Sequence, residues 1–330
     1  MNRPKIAITM GDPNGIGPEL AIKSIERKAE ELGFRPVLIG DEKVFADTIE
    51  LLNSDLTLTK VKDLSASPPS GSTIELVVPE DLDVPEIEWG TIDPAMGEAS
   101  FSCIRKAMDL AGRGEFDGVV NGPINKESYK LAGYDYLTEL AYMGHLESED
   151  VEPYIIGAME PFFTVFVTGH IALREVPDAL STERVLLHIR RLNEVLKNLG
   201  LENPEIAVAG LNPHLGEGGQ IGDEESKIIE PAVDLAEEEE INVAGLFPAD
   251  SIFATALRRD FDGVVCMYHD QANIARKILA WKKGSSLYGG LSVPGGTTAH
   301  GTAFEIAGQG IADSDSMEDT LSYVTKLISD

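Results

Sequence analysis

Six histidines occur among the 330 residues, and three of them share one local context. His170 stands in Val167-Thr168-Gly169-His170, His214 in Gly210-Leu211-Asn212-Pro213-His214, and His269 in Met267-Tyr268-His269-Asp270-Gln271. Each falls just beyond a run that reads as a strand, and open α/β sheets place their ligands outside the carboxyl ends of their strands. Imidazole suits a divalent ion, and three protein ligands leave a coordination position open for substrate. Asp250, Asp270 and Glu217 could add carboxylate ligands or fix the orientation of the imidazoles. The plain alternative is three unrelated histidines that each cap a strand, which is the ordinary fate of a lone histidine. Recurrence of one context in three of them favours the metal site.

Two glycine-rich segments accompany these residues. Gly11-Asp12-Pro13-Asn14-Gly15-Ile16-Gly17 follows a strand and opens a helix, the place of a phosphate cradle. Its spacing fits neither Gly-x-Gly-x-x-Gly nor a P-loop, so a tight turn and a cradle both stay open. Leu215-Gly216-Glu217-Gly218-Gly219 comes directly after His214 and reads as a flexible loop able to approach a ligand with its backbone.

These residues need a scaffold, and short β-rich runs alternating with amphipathic stretches describe a layered α/β protein. Strands are expected at 6–10, 37–40, 74–78, 118–121, 154–156, 163–168, 206–211 and 263–268. Helices are expected after the turn Gly11 to Glu19, with Ala21, Ile22, Ile25 and Ala29 as its apolar stripe, then from Asp41, over 99–113, over 181–198 with Ser181 as N-cap, over 224–240 and over 317–328. The stretch 65–94, rich in Pro, Ser and acidic residues, reads as an irregular connection around one strand.

Composition narrows the function. Lys and Arg number 27 against 56 Asp and Glu, a net charge of −29. Such a chain repels phosphate backbones and anionic lipid unless it carries a basic patch. The densest basic runs are the pairs Arg190-Arg191, Arg258-Arg259 and Lys282-Lys283, so neither nucleic acid nor membrane is an expected partner. No apolar stretch approaches a membrane span or a signal peptide, which with two distant cysteines, Cys103 and Cys266, points to a cytoplasmic protein with buried thiols. The acidic runs 147–150 and 237–240 read as solvated surface.

Near the C-terminus, Ala299-His300-Gly301-Thr302-Ala303-Phe304-Glu305-Ile306-Ala307-Gly308 resembles the segment with which isocitrate and isopropylmalate dehydrogenases hold the adenosine half of NAD. The blocks Thr9 to Glu19, Asn121-Gly122-Pro123-Ile124-Asn125-Lys126, Gly210 to Gly219, Pro248-Ala249-Asp250, Tyr268 to Gln271 and His300 to Gly308 together resemble the 4-hydroxythreonine-4-phosphate dehydrogenase family, in family order and over almost the whole chain. The resemblance implies an isocitrate/isopropylmalate-dehydrogenase-like fold. Residues 1–330 would form one family unit of two interleaved α/β subdomains around a central cleft, lined by residues near 170, 214 and 269. It also implies a homodimer whose metal site draws on both protomers, with His170, His214 and His269 as ligands of Zn, Mn, Co or Mg. NAD or NADP would lie on His300, Gly301, Thr302 and Ala303. Lys277 matches the family's substrate-contacting lysine and, with Asp250 and Asp270, makes up the expected catalytic set.

The implied reaction is oxidation of a 3-hydroxy acid followed by decarboxylation of the 3-oxo acid. A metal polarises the alcohol oxygen and stabilises the enolate left behind, and Lys277 serves as an acid, a base or a carboxylate anchor. The substrate shell departs from the family. Leu137 replaces its histidine in Tyr136-Leu137-Thr138-Glu139, its asparagine falls on Ser286 and its arginine on Gly295, so Thr138 and Lys277 alone survive. Glycine cannot replace the bidentate grip of arginine on an anion. Lys282, Lys283 or the amides of Gly289-Gly290 are candidate compensations. The acidic small-molecule substrate is therefore 4-phosphooxy-threonine, a four-carbon sugar-acid phosphate or a cyclic dihydrodiol carboxylate. A non-redox metal-binding member of the fold is the alternative from another class. Because substrate and dinucleotide are anions, the acidity is expected on the outer surface, and salt adaptation is one origin for it.

Overall fold

Buried β-branched runs organise the chain into two compact units, Met1–Tyr154 with Lys282–Asp330, and Ile155–Trp281. The computed structural model describes residues 3–62, 64, 71–280 and 283–328. Lys282 and the 65–70 part of the irregular connection lie outside the described residues.

The first unit opens with β1 (Lys5–Thr9) and α1 (Gly17–Leu32), whose first turn carries Pro18 and Glu19 and whose buried stripe includes Leu20, Ala21, Ile22, Ile25 and Ala29. Then come β2 (Arg35–Ile39), α2 (Glu42–Leu52), β3 (Thr57–Lys60) and β4 (Thr73–Val77). Asp41 caps α2 by accepting from the amides of Lys43 and Val44. β3 has no apolar signal: Thr-Leu-Thr-Lys is a largely exposed edge strand. α3 (Pro94–Gly112) starts five residues before the apolar periodicity does, because Asp93 caps it and Pro94 suits a first turn. β5 (Gly118–Asn121), α4 (Lys126–Leu131) and α5 (Glu139–Glu147) complete this stretch.

The second unit contains β6 (Tyr154–Met159), β7 (Phe162–Thr168), α6 (Val176–Ala179), α7 (Thr182–Asn198), β8 (Ile206–Ala209), α8 (Glu230–Glu238), β9 (Val243–Phe247), α9 (Ile252–Arg259), β10 (Gly263–Tyr268) and α10 (His269–Leu279). Ser181 caps α7 through the amide of Arg184. The single helix expected over 224–240 is instead a π turn, Glu225–Ile229, running into α8. The chain then returns to the first unit as β11 (Ser285–Gly289), β12 (Gly295–Thr298) and α11 (Asp315–Ile328).

Strand order in the first unit is β3-β4-β2-β1-β5-β12-β11, and in the second β6-β7-β10-β8-β9. Pairing within the units is parallel apart from β11 with β12 and β6 with β7, a mixed sheet in the layered α/β protein the pattern predicts. In the second unit Phe162, Ala207, Ile252, Phe261, Val264 and Cys266 form one buried cluster. Burying a large apolar side chain contributes roughly 1.5–3 kcal/mol, which makes such clusters the main source of stability. Cys103 and Cys266 are both buried and unbridged, and burial pushes both thiol pKa values up. Among the described residues no helix is long and apolar enough to cross a membrane.

Candidate functional site

All three histidines belong to the second unit, at the carboxyl ends of β7, β10 and β8, which run parallel and adjacent. His170 stands two residues past β7, His269 opens α10 immediately after β10, and Gly210-Leu211-Asn212-Pro213 carries the chain from β8 to His214. Adjacent strands lie about 4.8 Å apart, so residues leaving neighbouring strands arrive side by side. Accordingly the rings of His170 and His269 have centroids 5.2 Å apart.

Two of the imidazoles are oriented by carboxylates. Nδ1 of His269 lies 2.7 Å from Oδ1 of Asp270, and Nδ1 of His214 lies 2.9 Å from Oε1 of Glu217. An Nδ1–H donated to a carboxylate leaves the Nε2 lone pair outward, the arrangement in which histidine binds metal. His214, Asp250 and Asp270 share the wall of a cavity of about 540 Å³ with Asn212, Tyr268 and Ile278. Asp270 thus joins two groups, as partner of His269 and as part of the cavity wall. Among the described residues no three His, Cys, Asp or Glu side chains already converge on one point. In its chemistry the donor set fits a divalent ion, with imidazole nitrogens backed by carboxylates.

The glycine-rich stretch after His214 is a defined turn. From His214 to Gly219 every φ is positive, between 50° and 91°. The left-handed region costs a residue with a Cβ on the order of 1–2 kcal/mol, and His214, Leu215 and Glu217 all bear it. Lys277 is exposed in the last turn of α10. At about 1.5 Å rise per residue, its backbone lies roughly 12 Å along the helix from His269.

The remaining predicted residues sit in the first unit. Thr138 is the N-cap of α5, and its Oγ1 accepts from the Ala141 amide at 3.1 Å, so its hydroxyl proton stays free to donate. Leu137 beside it is 61% exposed. Ser286 is buried in β11, in register with Thr297 of β12. Gly295 starts β12 at a place with no room for a side chain: a Cβ there would lie 2.8 Å from the Val119 carbonyl oxygen and 3.2 Å from Tyr288 Cδ2. The family's arginine could not occupy this position, and Gly295 can offer a ligand backbone alone.

His300 and Gly301 are exposed, with Nδ1 of His300 directed to the Gly301 carbonyl at 3.0 Å and open space where a Cβ of Gly301 would be. Thr302 is buried, and its carbonyl accepts from the Ile16 amide at 3.1 Å, while Ala303 is left-handed with φ 42°. An anchored base with an exposed rim fits a nucleotide-holding loop. The Gly11–Gly17 segment is the surface it rests on. Residues 11–17 are all buried, and a Cβ on Gly15 would come within 2.9 Å of Thr302 Cβ. Close backbone packing thus accounts for Gly15, in keeping with a tight turn. Glu147, expected as solvated surface, accepts from both the amide and the hydroxyl of Ser292.

Fold and residues together define a mixed α/β protein whose second unit brings imidazoles to adjacent parallel strand ends. An isocitrate dehydrogenase from Methylococcus capsulatus shares the fold alone, with a TM-score of 0.50 at 13% identity, covering 96% of this chain and 83% of that one. The family model described as pyridoxal phosphate biosynthetic protein PdxA matches residues 33–324, and the chain belongs to that family. A relative from Symbiobacterium thermophilum, named "Putative D-threonate 4-phosphate dehydrogenase", is 39% identical over 98% of this chain and 96% of its own length. A 4-hydroxythreonine-4-phosphate dehydrogenase from Klebsiella pneumoniae superposes with a TM-score of 0.83 at 34% identity, covering 100% of this chain and 99% of that one. The chain is accordingly an enzyme, a dehydrogenase of the hydroxyl-oxidising kind.

Proposed function

We propose that the protein oxidises the 3-hydroxyl of a four-carbon phosphorylated hydroxy acid with NAD or NADP and a divalent metal, and that the 3-oxo acid then loses carbon dioxide. The observation that carries this reading is the His170–His269 pair, with His269 held by Asp270 and its Nε2 left free. His170, His214 and His269 would hold the ion, with Asp270 and Glu217 orienting two of them. When bound, the ion supplies Lewis acidity at the hydroxyl oxygen and the dinucleotide takes up the hydride. The Lys277 ammonium pairs with the substrate carboxylate, and Asp250 accepts a proton or a hydrogen bond at the wall shared with His214. In the first unit, the Thr138 hydroxyl donates to an anionic oxygen of the substrate, and His300 to Ala303 hold the nucleotide. We further place the protein in the cytoplasm, as a homodimer by its family resemblance, and without nucleic-acid or membrane partners by its acidity.

The names of the relatives support a phosphorylated substrate. A second reading, the same chemistry on an acid without phosphate such as a cyclic dihydrodiol carboxylate, is favoured by Gly295, where no anion-gripping side chain has room. Formation of NAD(P)H, followed by absorbance with phosphorylated and unphosphorylated 3-hydroxy acids in the presence of Zn, Mn, Co or Mg, separates the two. Turnover of D-threonate 4-phosphate or 4-phosphooxy-threonine is expected; turnover of unphosphorylated acids alone would transfer the assignment to the second reading. Silence toward every acid, with no shift of Tm by NAD or NADP, would overturn both. In the same preparation His214→Ala is expected to remove bound metal, and an unchanged metal content would contradict its role as ligand.

A further inference from the structure

The segment Gly210–Asn212 is clamped by two buried side chains that the proposed chemistry does not use. Glu225, 2% exposed, accepts through Oε1 from the amides of Leu211 at 2.8 Å and Asn212 at 2.6 Å, and through Oε2 from Asn212 Nδ2 at 2.9 Å. Gln271, 9% exposed, accepts from the Met267 amide at 2.6 Å and donates to the Gly210 carbonyl at 2.8 Å. Gln271 thereby ties the end of β10, two residues before His269, to the end of β8. A further bond runs from the Gly210 amide to the Phe247 carbonyl at 2.9 Å.

Beyond this anchor the chain enters the left-handed turn that carries His214 and Glu217. The turn folds back on the same carboxylate: a Cβ on Gly216 would lie 2.4 Å from the Gly222 carbonyl oxygen and 3.0 Å from Glu225 Oε2. Glu225 also opens the π turn ahead of α8, and such turns are frequent at functional sites. A buried carboxylate is tolerated only when donors surround it, and here the Leu211 and Asn212 amides and Asn212 Nδ2 all come from the approach to His214.

We infer that Glu225, together with Gln271, is a positioning residue that holds the left-handed turn and so sets where His214 stands relative to His269. The inference rests on the proposed metal centre for its effect on metal affinity, while its effect on the order of the turn is independent of metal. Glu225→Gln removes one acceptor at almost no change in shape. If its oxygen keeps the two backbone amides, its amide nitrogen faces Asn212 Nδ2, donor to donor. Turning the Asn212 amide over would then set its oxygen against Glu224 Oε2, which Nδ2 now meets at 2.7 Å.

The test compares wild type, Glu225→Gln, Asn212→Ser and, as control, Glu230→Gln at an exposed position of α8. Amide hydrogen exchange is followed by mass spectrometry over peptides spanning 210–219 in metal-free protein, and Zn is titrated against a chromogenic chelator. In the two clamp variants, exchange over 210–219 is expected to accelerate about tenfold or more, with the rest of the second unit at wild-type rates. Zn affinity is expected to fall by about 10- to 100-fold in parallel, as for other residues that orient metal ligands. The control should match wild type in both. Unchanged exchange over 210–219, or faster exchange with undiminished Zn affinity, would overturn the assignment. Should wild type bind no metal at all, the metal centre itself fails and the exchange measurement alone decides the role of Glu225. Should Glu225→Gln not fold, Asn212→Ser, which removes the Nδ2 bonds to Glu225 and Glu224 and leaves both backbone amides on Glu225, decides it.

Discussion

At Asp12, burial raises the carboxyl pKa to about 6, against the weaker opposing pull of the Asn14 amide, which donates to Oδ1. The Ser128 hydroxyl and the Asn125 amide add smaller lowering pulls on the same buried carboxyl. The folded pKa is thus raised above the ordinary value of 3.8, so the stability from holding this proton is present in full below about pH 4 and lost as pH rises through about 6. A rise of about two units corresponds to roughly 3 kcal/mol. Asp12→Asn keeps an acceptor for the Asn14 amide and carries no charge, so it is expected to raise the unfolding free energy at pH 8 by up to about that amount and to change it little at pH 4. Urea unfolding at the two pH values checks this; an equal effect at both would exclude the buried charge as the cause. Nothing in Gly-Asp-Pro-Asn-Gly marks this aspartate as buried, because its burial comes from the packing of residues remote in sequence.

Element by element, α1, α2, α3, α7, α8 and α11 were legible from caps and stripes, whereas α4, α5, α6, α9 and α10 and the strands β3, β9, β11 and β12 were not expected. Ser181 and Asp41 cap the helices expected to begin beside them. The edge strand β3 and the glycine- and threonine-rich β12 have sequences that read as loop, and only their neighbours make them strands. β12 runs between β5 and β11, which is why Gly295 is confined. Gly295→Ala is therefore expected to lower stability by about 1–3 kcal/mol, as overpacking does. A thermal unfolding midpoint equal to that of wild type would show that β12 has more room than its backbone contacts indicate.

For the molecule as a whole, a net charge of −29 is a standing repulsion spread over the surface, with Glu237 to Glu240 among its exposed clusters. Exposed charges are screened over about 8 Å at physiological ionic strength and about 3 Å at 1 M salt. If the acidity is a salt adaptation, Tm and activity should both rise between 0.1 and 2 M KCl; indifference to molar salt would remove that explanation. The proposed anionic substrate and dinucleotide would then need local positive charge, which in the second unit Lys277 and the proposed ion would supply.

By itself the sequence determined the α/β class, the family, and which histidines and which lysine to examine, because strand-end placement and motif order are properties of the linear chain. It also raised the expectation that the substrate shell departs from the family's. Only the tertiary structure decided that His170 and His269 stand side by side, that Asp270 and Glu217 each turn an imidazole, and that Gly295 has no space for an arginine. It alone revealed Glu225 and Gln271 at the approach to His214. The physical reason is range: hydrophobic period and turn chemistry act over a few residues, whereas these contacts depend on which strands become neighbours. Gln271 reaches Gly210 across 61 positions of sequence because β10 pairs with β8, and no local pattern encodes that pairing.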